Sequence, residues 1–364
     1  MAAIDITPIL KFMVEKSGSD LFFSTGTTIH IEIDGKTSPI NNQVMTPGAV
    51  KEIAYSIMSP AQQKEFEQTL EMNFAFSMHG VGRFRINVFR QRGEVAMVIR
   101  YIKHVIPSLQ SLGLPEVLNE LIMRQRGLIL VVGATGSGKS TTLASMIDHR
   151  NRTCDGHILT LEDPIEFMHE HKKSVVDQRE IGIDTLSFEN GLKNAMRQAP
   201  DVILIGEIRD METMKHAIAY SETGHLCLAT LHASNANQAL ERILSFFPQD
   251  GKQAIQLSLS LNLVAIVSQR LLPGTKAKRV VATEVLINTP YISELILKSK
   301  LEEIKDVMGN NRDIGMHTFD QSLFELFRKG DITEDNALAS ADSRNDLSLK
   351  IRFDAEGAKG GFGD

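Results

Sequence analysis

The chain has 364 residues, 42% hydrophobic and 23% charged, with 39 Lys and Arg against 45 Asp and Glu for a formal net charge of −6. That length accommodates two or three domains with real hydrophobic cores, and the slight acidity leaves no overall electrostatic footprint for nucleic acid. Two cysteines, Cys154 and Cys227, supply neither a disulfide framework nor a four-thiolate zinc site, and no window of about 18 residues is apolar throughout, so no membrane span is expected.

In chain order, residues 1–100 read as a small α+β domain. The opening MAAIDITPIL has an acid where a signal peptide needs basic residues, which points to the cytoplasm. Thr7 is placed to cap a helix with Pro8 at its first position; Ile9, Phe12 and Met13 follow at helical spacing, and Gly18 ends it. In IHIEIDG, Ile29, Ile31 and Ile33 alternate with polar residues and predict a half-buried strand turning at Asp34–Gly35. PGAVKEIAYSIM predicts a second helix. In RFRINVFRQRGEVAMVIR the period returns to two, with Phe84, Ile86 and Val88 on one face and Arg83 and Arg85 on the other.

Residues 101–115 carry two prolines and a glycine and read as a linker. From 116 apolar strands alternate with helices, the signature of a parallel sheet covered on both faces. The expected strands are GLILVVG, HILTLE, DVILIGE and HLCLATLH, with Asp210 capping a helix that ends at Gly224. After about residue 235 helices dominate. QLSLSLNL is ambiguous, since it alternates like a strand while LNLVAIVSQRLL continues it at helix-compatible length. This domain extends to 340, and 341–364 reads as a disordered tail because AEGAKGGFGD is glycine-rich without apolar periodicity.

Residues 133–141, GATGSGKST, follow the apolar strand Leu128–Val132 and open a helix. Gly133, Gly136 and Gly138 let successive N–H groups, including those of Ala134, Thr135 and Ser137, converge on phosphate. Lys139 supplies positive charge for the β- and γ-phosphates, Ser140 a hydroxyl for Mg²⁺, and Thr141 continues into the helix whose positive end faces the anion. ATP and Mg²⁺ are therefore the expected ligands. Hydrolysis also needs acids beyond the carboxyl ends of strands. Two clusters qualify: Glu162, Asp163 and Glu166 in LEDPIEF, where Pro164 turns the chain, and Glu207 in VILIGEIRD. His225 and His232 bracket a strand at about 3.3 Å per residue and so stand roughly 23 Å apart, too far to share one phosphate. HEHKK at 169–173 reads as a solvated loop. Arg83, Arg85 and Arg100 either face solvent or reach a triphosphate held by another domain or subunit.

GATGSGKST, ILTLEDPIEF, DVILIGEIRD and TGHLCLATLHASNA, in that order, resemble the secretion-superfamily ATPases, and most closely the type IV pilus retraction ATPases of the PilT/PilU family. The resemblance extends from SGSDLFFSTG through RFRINVFRQRG to GMHTFDQSLFELF. It implies a homohexamer in which a PAS-like N-terminal domain joins a RecA-like ATPase domain, with nucleotide between them. Lys139 and Ser140 would hold phosphate and Mg²⁺, Glu166 would act as general base, and Glu207 would support Mg²⁺ and water. His225 and His232 match the family's His box, and Arg83, Arg85 and Arg100 its N-domain arginines. The missing tetracysteine motif favours retraction over assembly. YISELILKSKLEEIKDVM, where PilT-type members carry an AIRNLIRE-like helix, and the longer tail favour the PilU branch. That branch implies a PilT-type partner, an inner-membrane platform protein and a place at the cytoplasmic base of the pilus. An autonomous PilT-type motor and a structural adaptor with little turnover are the alternatives.

Overall fold

Phe84, Ile86 and Val88 are buried on one face of a six-stranded antiparallel sheet, as their period-two spacing requires. This computed structural model describes residues 5–359, with side chains as far as Asp354. The chain divides into two units, one comprising residues up to Val105 with Glu166–Met168, the other Ile106–Ile165 and His169 onward. In the first, α1 (Thr7–Glu15) precedes β1 (Asp20–Phe23), β2 (His30–Ile33) and β3 (Lys36–Pro39); α2 (Ala49–Ile57) and α3 (Pro60–Thr69) then lead to β4 (Glu71–Met78), β5 (Gly82–Gln91) and β6 (Glu94–Ile102). The sheet order is β3-β2-β1-β6-β5-β4. Leu10 and Met13 of α1 and Val50 and Ile53 of α2 join its apolar face in one core. The β2–β3 hairpin turns at Asp34 and Gly35, both at positive φ (51° and 77°), a two-residue turn that suits the strand twist. Thr7 lies inside α1 rather than capping it: its N–H donates to Asp5 Oδ1 at 2.9 Å, and Ile6 holds the cap position.

In the second unit, α4 (Val117–Leu121) precedes β7 (Gly127–Val132), α5 (Lys139–Thr153), β8 (Gly156–Glu162), β9 (Ser174–Glu180), α6 (Phe188–Ala195) and β10 (Val202–Ile205). There follow α7 (Met211–Glu222), β11 (Leu226–Leu231), α8 (Ala236–Ser245), α9 (Lys252–Asn262), β12 (Leu263–Pro273) and β13 (Arg279–Ile287). The seven-stranded order is β13-β12-β7-β11-β10-β8-β9, parallel throughout except for β13 against β12. All six residues of β7 are buried: Leu128, Leu130 and Val132 join the core on one face, Ile129 and Val131 that on the other. Asp210 caps α7 as expected, accepting from Thr213 N–H at 2.8 Å. Beyond the sheet come α10 (Pro290–Leu297), α11 (Ile304–Asn310), α12 (Phe319–Arg328), α13 (Glu334–Ser340) and α14 (Arg344–Lys359).

One ambiguity is settled here and two expectations are refined. QLSLSLN lies in α9, which buries Gln256, Leu259 and Ser260, while Leu263–Pro273 forms β12; the order of helix and strand is the reverse of the one that the alternation suggests. The boundary between the two units, Val105–Ile106, falls inside the expected linker 101–115, but both of its ends belong to a unit. Tyr101 and Ile102 belong to β6, and Leu109 and Leu114 are buried in the second unit, where their apolar area outweighs the irregular backbone that the prolines impose. Finally, 344–359 is helical, because Leu347 and Ile351, four apart, bury one face alongside Phe324 and Ile332. The last five residues of the expected tail lie outside the described residues.

Candidate active site

The turn after β7 needs glycine for two distinct reasons. Gly136 and Gly138 take φ of 77° and 94°, in the left-handed region, and Gly138 occupies the cap position of α5. At Gly133 space decides: a Cβ there would stand 2.4 Å from Ser137 Oγ and 2.6 Å from the Gln269 carbonyl. Lys139 donates from Nζ to the carbonyls of Gly133 (2.9 Å) and Ala134 (3.0 Å), so its charge is folded over the loop it serves. Ser137 Oγ is buried without a hydrogen-bond partner, a donor held inside a turn shaped for an anion. Ala134, Thr135 and Gly136 are exposed, Ser140 and Thr141 half-buried at the start of α5. A cavity of about 250 Å³ adjoins the loop, lined by residues 133–137 together with Ser234, Gln269 and Arg270.

Sheet register decides which other groups share this edge. Val132, the last residue of β7, pairs with Leu231 of β11, so His232 leaves its strand level with the loop. Ile205 pairs with Ala229 of β11 and Leu161 of β8, bringing Gly206, Glu207 and Glu162 to the same edge. Gly206 permits this close approach, since a Cβ would stand 3.0 Å from the Leu161 carbonyl. Glu207 is held at both oxygens: His232 Nε2 lies 2.9 Å from Oε1, and Arg209 Nε donates to Oε2 at 2.7 Å. Arg209 also comes within 4.0 Å of Asp163. A carboxylate with both oxygens engaged still has lone pairs for water or a cation's hydration shell. Glu162 is more committed, with Oε1 accepting from Thr160 Oγ1 (2.6 Å) and Gln178 Nε2 (3.1 Å).

Other predicted residues lie at the far end of a strand or belong to the first unit. His225 stands at the opposite, amino edge of β11, where its carbonyl accepts from Gly127 N–H (3.0 Å) and its Nδ1 meets Thr223 Oγ1 (3.1 Å); the strand between the two histidines keeps it from the loop of its own chain. Glu166 is exposed and belongs to the Glu166–Met168 segment of the first unit, where Met168 N–H donates to the Lys103 carbonyl (3.0 Å). Arg83, Arg85 and Arg100 lie on the first unit's sheet, with Arg85 directly opposite Arg100. Arg100, expected either to face solvent or to reach a triphosphate, donates to the buried Asp20 at 2.8 Å. Arg83 keeps its Nε buried without a partner. HEHKK is not simply solvated either: His169 is buried, where loss of hydration pushes its pKa down to about 4, and Lys172 pairs with Asp148. Sequence reasoning passed over Arg209, Gln269 and Arg270, although the polar triplet Ser268-Gln269-Arg270 inside an apolar strand is a usable signal.

A central-strand phosphate loop beside a strand-end Glu–His pair, on a sheet of this order, defines a RecA-like P-loop ATPase. The chain belongs to the Type II/IV secretion system protein family, which matches residues 2–307, and is an ATPase of the secretion-system superfamily. It is 50% identical over 97% of its length to the type IV pilus ATPase PilU of Pseudomonas aeruginosa, of which it covers 93%. It is 41% identical over 93% of its length to the type IV pilus retraction ATPase PilT of the same organism, covering 98% of that protein. The crystal structure of the pilus retraction motor PilT with bound ADP superposes with a TM-score of 0.89 at 41% identity, over 95% of this chain and 99% of that one. Among the described residues no helix is long and apolar enough to cross a membrane.

Proposed function

We propose that the protein hydrolyses ATP to power or assist retraction of type IV pili, as a PilU-like homohexamer working beside a PilT-type ATPase and passing force to an inner-membrane platform protein. The observation that carries the enzymatic part is the pair His232–Glu207 at the carboxyl edge, level with the phosphate loop. The retraction part rests on the similarity to PilU and PilT. The residues fit a magnesium-bound triphosphate. Gly133 leaves room that a Cβ would close, Ser137 has an unused donor, and Ser140 and Glu207 are oxygen ligands suited to a hard cation. Among the described residues no group of three or more His, Cys, Asp or Glu is arranged to hold a metal, so the cation would arrive with the nucleotide. When bound, Mg²⁺ neutralises charge on the phosphate oxygens.

In this reading the loop N–H groups from Ala134 to Thr141 and the amino end of α5 bind the phosphates, and Lys139 turns from the Gly133 and Ala134 carbonyls to the β- and γ-oxygens. Glu207, oriented by His232 and Arg209, accepts a hydrogen bond from the attacking water. Glu166 takes the water's proton, and Arg83 and Arg85 act on a neighbouring subunit's nucleotide; both assignments rest on the family resemblance. Magnesium-dependent ATP hydrolysis by the purified protein, beside Lys139→Ala and Glu166→Gln, tests the reading. Losses of at least about tenfold in both variants, roughly 1.4 kcal/mol of transition-state stabilisation, support it. Nucleotide binding with turnover no faster than in the variants would make the protein an adaptor instead. Motility restored only in cells that retain a PilT-type ATPase would support the dependence.

A further inference from the structure

Behind the phosphate loop lies a buried polar path separate from the groups placed in hydrolysis. Ser268 of β12 pairs on one side with Val132, the residue before the loop, and on the other with Glu284 of β13. Gln269, 2% exposed, donates from Nε2 to Thr142 Oγ1 of α5 at 2.7 Å, while its carbonyl backs Gly133. Glu284, 1% exposed, accepts from Ser268 Oγ (3.2 Å) and from the backbone N–H of Ala236 (2.8 Å). Ala236 is the first residue of α8, whose cap Asn235 accepts from Gln238 N–H at 2.9 Å. The short segment 232–235 therefore runs from the Glu207 contact to a backbone group clamped by Glu284.

We propose that Glu284 is a positioning residue for hydrolysis: its carboxylate ties the start of α8, and so the segment that presents His232 to Glu207, to the strand pair backing the phosphate loop. A buried carboxylate is costly to keep, and α8 would be capped by Asn235 without it. Its use here is the link itself. As an anion it makes charge-assisted bonds to the Ala236 N–H and the Ser268 hydroxyl, roughly twice as strong as those of a neutral acceptor. Ionisation is opposed first by burial and then by Asp342, which Arg270 holds at 2.6 Å. It is favoured by the Ala236 and Ser268 bonds and by Lys305, and the balance leaves the group with a pKa of about 7. The link therefore tightens as pH rises through neutrality.

This inference rests on the ATPase reading, but its test has an arm that does not. Backbone amide exchange is followed in the full-length wild type and in Glu284→Gln, which keeps one acceptor oxygen in the same shape, removes the charge and turns the other oxygen into an amide donor. Exchange across 232–238, normalised to that of the core strand 127–132, which follows global stability, is expected to rise at least about fivefold in the variant at pH 8 and to differ little at pH 5.5. Steady-state ATP hydrolysis should show a wild-type kcat that increases through pH 7. In Glu284→Gln that limb should be missing and kcat should be about three- to tenfold lower at pH 8, with KM within twofold. Glu284→Asp, charged but too short for Ala236, should resemble Gln in exchange. Unchanged exchange in 232–238, or a Gln variant that retains the wild-type pH limb, would overturn the proposal. No hydrolysis by the wild type at any pH would instead overturn the ATPase reading, and the exchange result would still decide the link.

Discussion

His232 Nε2 lies 2.9 Å from Glu207 Oε1, although the two residues leave different strands of the sheet. Parallel β10 and β11 end side by side, and Arg209 closes on the second Glu207 oxygen at 2.7 Å, so the carboxylate has one orientation rather than several. His232→Ala is expected to lower kcat about tenfold or more with little change in KM, because the groups that bind phosphate are untouched. Arg209→Ala should fall in the same direction. A fall in nucleotide affinity without a fall in kcat, measured by steady-state kinetics, would remove the pair from the hydrolytic step.

Gly133→Ala tests the loop by space alone. Its methyl would need to displace Ser137 and the Gln269 backbone, and the latter is fixed in β12. The expected result is a stability loss of about 1–3 kcal/mol and loss of ATP-induced thermal stabilisation, which for the wild type amounts to about 2.7 kcal/mol at 100 times the dissociation constant. A variant that still gains wild-type stabilisation from ATP would show that the loop binds in another geometry.

Arg100→Ala separates structure from catalysis in the first unit. Asp20 is buried and takes its ion pair from Arg100, so truncation should cost about 1–2 kcal/mol in chemical denaturation. Turnover per folded molecule should stay within twofold. A large kcat loss at unchanged stability would restore the catalytic role that the resemblance implies.

The pH dependence of stability carries a definite sign at Glu284. Its folded pKa of about 7 stands above the ordinary 4.5, so the native state holds a proton that the unfolded chain releases between those values. Stability therefore falls as pH rises from about 4.5 to about 7, by on the order of 3 kcal/mol from this group. Glu284→Gln removes the dependence, and its unfolding midpoint relative to wild type should climb across that window. A constant difference between the two proteins at pH 5 and pH 8 would contradict the assignment.

The four central strands were legible because strands buried on both faces are continuous apolar runs, as GLILVV and VILI are. The phosphate loop was legible because its groups are contiguous in sequence. The partners of Glu207 were only half so. His232 ends a recognisable strand, but Arg209 becomes meaningful only once the chain turns after Ile205 and brings its guanidinium back. β12 escaped because Ser268, Gln269 and Arg270 interrupt its apolar pattern, and those same residues carry the buried path behind the loop. α14 was obscured by the glycines at and beyond its end, although Leu347 and Ile351 already have helical spacing. Periodicity reports what a segment buries; it does not report which distant segment supplies the partner.

Glu207, at the carboxyl edge of the second unit, is the residue proposed to carry ATP hydrolysis. Single-turnover hydrolysis and equilibrium ATP binding, measured on the wild type and Glu207→Gln with Mg²⁺ present, isolate that role. The expected result is binding within about threefold in the two proteins and a hydrolysis rate at least about 100-fold lower in the variant, near 2.7 kcal/mol of barrier. A Glu207→Gln protein that hydrolyses bound ATP as fast as the wild type would contradict it.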